Sequence, residues 1–144
     1  MGFLRIMSNL VRFSISLERT LLHKFDQWLK EQNYKNRSEV IRDLIRESLV
    51  EKEWAQNEIV AGTITLVYDH HKRGLVQELT ALQHSSHRMI ISTQHIHLDH
   101  DNCLEVIIAH GEAHSLIQLT DKLKSIKGIK YGNLAMATSG KELI

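Results

Sequence analysis

The sequence contains one cysteine, no proline and no apolar run long enough to cross a bilayer. A single cysteine excludes an intrachain disulfide and fits a reducing compartment, so a cytoplasmic location is expected. No secretory leader is recognisable in the opening MGFLRIMSNL. Charge of one sign is scarce too: the formal net charge is +1 over 144 residues. That argues against a protein that coats nucleic acid through overall basicity, and any such surface has to be local. With 42% hydrophobic and 24% charged residues, the composition is globular and fits one ordinary domain or two small ones.

Histidine, by contrast, is plentiful and unevenly placed. Of ten histidines only His23 lies in residues 1–56, and the other nine fall between His70 and His114. The first 56 residues carry ten Lys and Arg against eight Asp and Glu, and the remainder carries eight against nine. A slightly basic, histidine-poor part therefore precedes a slightly acidic, histidine-rich part, which suggests two modules with different partners.

The first module reads as strand–helix–helix. In LVRFSISL, Val11, Phe13, Ile15 and Leu17 alternate with Arg12, Ser14 and Ser16, the period of a half-buried strand. Leu21, Leu22, Phe25, Trp28 and Leu29 then recur at helical spacing. A second helix is expected from NRSEVIRDLIRESL, with Asn36 as its cap and Glu39 three residues on. A lone strand cannot satisfy its backbone groups, and about 45 residues bury too little core to stand alone. The economical solution is a twofold dimer in which two copies of the strand pair antiparallel. The polar face of that ribbon presents Arg12, Ser14 and Ser16 from both chains, and a two-stranded ribbon fits the DNA major groove.

Residues 53–60 are read as a linker. Beyond it the pattern is strand, helix, strand, strand, helix, strand, a ferredoxin-like βαββαβ arrangement with two helices on one sheet face. The fold class is thus α+β: a dimeric βαα module at 9–52, preceded by an arm at 1–8, and a ferredoxin-like domain at 61–144. Several strands are apolar on both sides, so the second sheet face is expected to be covered by another subunit, giving an assembly larger than a dimer.

The single thiol lies in QHIHLDHDNC, residues 94–103. Side chains two apart on a strand share a face, so His95 and His97 point the same way. Leu98 to Asn102 is rich in turn residues, and a five-residue loop there sets Cys103 opposite His97 and Glu105 opposite His95. Two imidazoles and a thiol then converge, three ligands for zinc, copper or nickel, all of which accept such donors. Three protein ligands and a water would also describe a catalytic zinc site with Glu105 as base. Nothing else resembles a substrate pocket, and no enzyme activity is expected.

Residues 10–52, with the R-x-S-x-S strand face and the NRSE helix entry, resemble the ribbon-helix-helix family of DNA-binding proteins. The resemblance implies that the start of the second helix, around Arg37 and Ser38, lies on a DNA phosphate. Together with QH at 83–84 and QHIHLDHDNCLE at 94–105, the two modules resemble the nickel-responsive transcriptional regulators, whose C-terminal domain is of the ACT type. That resemblance covers nearly all of residues 9–140. It implies a square-planar Ni(II) site, one per subunit, from His95, His97 and Cys103 with His84 of a neighbouring subunit. It further implies a homotetramer, a dimer of dimers, that binds palindromic half-sites of double-stranded operator DNA and represses nickel-uptake genes when metal-bound. His70, His87 and His100 are candidate auxiliary ligands, and Glu39 and Asp43 match carboxylates that hold an inter-domain cation in the family. Two other readings compete: a ribbon-helix-helix antitoxin, which would co-purify with a small partner, and a metal-binding protein without operator affinity. No membrane partner is expected.

Overall fold

The computed structural model describes residues 10–143; the arm expected at 1–8 lies outside them. The chain divides into two compact units, one up to Arg42 and one from Asp43 onward. No helix among the described residues is long and apolar enough to cross a membrane.

In the first unit, helix α1 spans Arg19–Glu31 and helix α2 starts at Arg37 and runs to Ala55. Residues 10–17, expected as a strand, have no assigned strand pairing in the single chain. Val11, Phe13 and Ile15 are 82, 69 and 63% exposed. The physical reason is the one the sequence supplies: a strand needs a neighbour to satisfy its N–H and C=O groups, and one copy of the chain contains none beside it. Asn36 caps α2 as expected, its Oδ1 accepting the Glu39 N–H at 3.0 Å.

Both helices end in the same way. Asn33 and Asn57 adopt left-handed backbone, φ 59° and 56°. After α1, Asn33 N–H donates to Lys30 and Tyr34 N–H to Leu29; after α2, Asn57 N–H donates to Trp54 and Glu58 N–H to Glu53. These paired bonds satisfy the last helical carbonyls. Because Asn57 stops α2, the helix continues to Ala55 and only residues 56–58 separate it from the first strand. The linker expected at 53–60 is therefore mostly helix end and strand start.

The second unit contains β1 (Ile59–Asp69), α3 (Leu75–Ser85), β2 (Ile90–His97), β3 (Asn102–Glu112), α4 (Ala113–Ser125) and β4 (Ile129–Met136). The sheet order is β2-β3-β1-β4 and every pairing is antiparallel, the ferredoxin-like order anticipated from the pattern. In β1 burial alternates strictly from Val60 to Asp69, and its inward residues Ile64, Leu66 and Tyr68 join Leu79, Ile107, Leu119 and Leu123 in the core. On the opposite sheet face, Tyr131, Val67, Leu104 and Ile96 are aligned across all four strands, with Tyr131 and Ile96 55 and 38% exposed. A second cluster forms around Trp54, whose Nε1–H donates to the Ala137 carbonyl at 2.8 Å.

Candidate metal centre

The β2–β3 ladder places His97 opposite Cys103 and His95 opposite Glu105, as the loop length requires. The loop is held by Asp99, whose Oδ1 accepts the Asp101 and Asn102 N–H groups at 2.9 and 2.7 Å. The Asn102 side-chain amide, which donates to both carboxylate oxygens, followed by those backbone bonds, holds its carboxyl down at about 2. On the other side of β3, Tyr68 is opposite Cys103 and Leu66 opposite Glu105. Tyr68, Cys103 and His97 thus form one row across three strands, on the face that the helices cover.

Cys103 is buried, and its Sγ lies 3.3 Å from His97 Nδ1 and 3.2 Å from His70 Nδ1. Donors bonded cis to one ion at ~2.0 Å (N) and ~2.3 Å (S) would be roughly 3 Å apart, so this spacing suits shared coordination. Burial raises the Cys103 thiol, and the charges of Asp99, Asp69 and Glu105 raise it further. Without a cation the sulfur therefore keeps its proton. His70 follows the end of β1 and points to the same face as Tyr68, two residues earlier. Sequence reasoning gave it only an auxiliary place, because the β1–β3 pairing that brings it to Cys103 is non-local. The signal was present: Tyr68 and His70 have the same spacing as His95 and His97.

His95 has different surroundings. Its Nδ1 is 3.1 Å from the Tyr68 hydroxyl, which donates to Glu105 Oε2 at 2.5 Å. Gln83 on α3 donates to the other oxygen of Glu105. Burial, followed by the bond to Glu105, raises the Tyr68 phenol, which stays protonated. With the Tyr68 proton directed to Glu105, the network assigns His95 the tautomer that donates from Nδ1. That leaves the Nε2 lone pair available as a ligand, the usual service of an outer hydrogen bond to a metal-binding imidazole. Glu105 has both oxygens engaged in this network. Sequence reasoning missed Tyr68 and Gln83, and neither residue type signals a metal site by itself.

His84 lies near the end of α3, exposed, and borders with His95 and Glu105 a recess of about 340 Å³. Within one chain it joins no group of three ligand atoms among the described residues. His87 is exposed with Nδ1 3.0 Å from the His84 carbonyl oxygen. His100 stands with His71 and Asp101 in an exposed group. In the first unit Arg12, Ser14 and Ser16 are all exposed, as is Ser38, while Arg37 is bonded to Asp26. Asp43 pairs with Arg46 at 3.3 Å, and Glu39 lies in the first turn of α2.

The donor set, imidazole nitrogens around a buried thiol, suits a borderline transition metal such as nickel and not a hard cation. Comparison with known proteins agrees. The family described as "NikR C terminal nickel binding domain" matches residues 61–137, and "Ribbon-helix-helix protein, copG family" matches residues 11–52. The chain belongs to the nickel-responsive regulator family. A "Putative nickel-responsive regulator" of Desulfotalea psychrophila is 54% identical over 134 residues, 93% of this chain and 98% of its own. Proteins of the same name from Syntrophus aciditrophicus and Pyrococcus horikoshii are 50 and 52% identical. The alignments cover 94% of this chain in both cases, and 98 and 99% of the relatives. The chain is thus a nickel-responsive regulator with a ribbon-helix-helix module and a nickel-binding C-terminal domain.

Proposed function

We propose that this regulator binds operator DNA when nickel-loaded and represses genes for nickel uptake, in the cytoplasm and as a tetramer of two ribbon dimers. The observation that carries the metal half is the convergence of His97 on Cys103 across β2–β3, with His95 beside them and turned by Tyr68. His95, His97 and Cys103 are the ligands from one chain, completed by His84 of a neighbouring subunit, with one nickel per chain. The exposure of His84 at the end of α3 supports its availability to a second copy. On the DNA side, Arg12, Ser14 and Ser16 read base edges from the ribbon. The backbone at Arg37 and the Ser38 hydroxyl hold a phosphate at the start of α2.

Affinity alone cannot make such a protein nickel-specific, since copper binds nitrogen and sulfur donors more tightly. Geometry has to select the response. Zinc favours a tetrahedron, and the chain offers His70 as a third ligand beside His97 and Cys103 without any partner subunit. A zinc form held by that set leaves His84 unused and the subunit interface unorganised. In the nickel form the His84 end of α3 becomes fixed, so amide exchange across residues 74–94 slows. The test is operator binding at fixed salt with nickel, with zinc and without metal. The proposal requires nickel to give the tightest specific complex; equal operator affinity in all three states would refute it.

A further inference from the structure

In the first unit, Arg37 and Asp26 make a two-pronged contact. Arg37 Nε–H donates to Asp26 Oδ1 at 2.8 Å, and Nη2–H donates to Oδ2 at 2.7 Å. The side chains are 55 and 35% exposed, and an ion pair so exposed contributes little to folding. Its geometry is nevertheless the fork that a guanidinium offers to a carboxylate or to a phosphate alike. Its location adds to this. Arg37 is the first residue of α2, where the free N–H groups favour an anion and disfavour a cation. Asp26, reaching across from α1, supplies that anion. Arg12, on the segment expected to form the ribbon, belongs to none of the ion pairs among the described residues.

We propose that Asp26 stands in for a DNA phosphate: by filling the Nε–Nη2 edge of Arg37 it keeps that charge off the DNA backbone and restrains sequence-independent binding. The inference rests on the reading that this module binds duplex DNA. It makes Asp26 a specificity-determining residue that acts through Arg37, and it leaves the phosphate at the start of α2 to backbone N–H groups and Ser38. Operator recognition, carried by base contacts, then forms a larger share of the total binding energy than it would with Arg37 free.

The test is fluorescence anisotropy of a labelled random-sequence duplex against salt concentration. It uses the intact nickel-loaded protein as wild type, Asp26→Asn, Asp26→Ser and the double variant Asp26→Asn/Arg37→Ala. Releasing one phosphate-binding charge steepens the slope of log K against log salt by about one and tightens binding roughly five- to tenfold at low salt. Asp26→Asn should do this, and the double variant, in which the pair is again neutral, should return to the wild-type slope. Asp26→Ser reads the same question if Asp26→Asn fails to fold. An unchanged slope in the folded Asp26 variant overturns the proposal. An Asp26→Asn effect that survives in the double variant also overturns it, since the effect is then only the lost repulsion of an acid. Wild-type protein that binds neither operator nor random duplex removes the DNA-binding reading itself and this inference with it. Wild-type binding with unaltered slopes removes this inference alone.

Discussion

His97 and Cys103 face each other across the β2–β3 ladder, with the thiol sulfur 3.3 Å from the imidazole Nδ1. Five residues separate them in sequence, 98–102, and the sheet holds both side chains on its helix-covered face. The two proposed ligands are therefore positioned by backbone pairing and need little rearrangement to share an ion.

The pH dependence of nickel binding follows from the burial of that thiol. Cys103 is raised from an ordinary 9.0 by burial and neighbouring acids, so it is protonated throughout the neutral range and must lose its proton to become a ligand. Nickel affinity should rise about tenfold per pH unit from neutral to mildly alkaline solution, one thiol proton being released for each nickel bound. For the metal-free chain the sign is opposite: the folded state holds the proton more tightly, so stability is full below pH 9 and falls as pH rises above it. Isothermal titration at several pH values checks the first statement, and a pH-independent affinity would contradict it.

The ribbon dimer can be broken at its apolar face. Val11, Phe13 and Ile15 are each more than 60% exposed in one chain, and burying a side chain of that size contributes about 1.5–3 kcal/mol. Phe13→Asp should give a smaller assembly in sedimentation velocity and lose operator binding, while each chain keeps its nickel-binding domain folded. Wild-type assembly and wild-type operator affinity in this variant would contradict the dimeric ribbon.

Trp54 anchors the segment after β4 to the end of α2. It is 3% exposed, and its indole N–H is bonded to Ala137. Trp54→Phe should cost about 1 kcal/mol for the lost bond, and Trp54→Ala about 3–5 kcal/mol for the cavity. Chemical denaturation measures both, and equal losses would mean that the hydrogen bond carries the stability and the ring does not.

Much of this fold could be read from local pattern. The alternation in β1 and the helical stripes are short-range signals, and the five-residue loop dictates which residues oppose each other on β2 and β3. What escaped was non-local. His70 reaches Cys103 only because β1 pairs with β3, a neighbour more than thirty residues away. Tyr68, Glu105 and Gln83 meet from three elements, and their role lies in the network they form. The extension of α2 to Ala55 escaped for a different reason: Asn57, which stops the helix, lay inside the segment taken for a linker. Residues 10–17 show the reverse case. Their alternation is clear in the sequence, but a single chain does not provide the second strand that would make them one.

The most direct measurement is an anaerobic nickel titration followed by near-UV absorption, on wild type and on Cys103→Ala. The account predicts one nickel per chain and an intense thiolate charge-transfer band that the substitution abolishes. A weak spectrum of octahedral type, unchanged by Cys103→Ala, would show that Cys103 is not a ligand and that the β2–β3 turn is an ordinary hairpin.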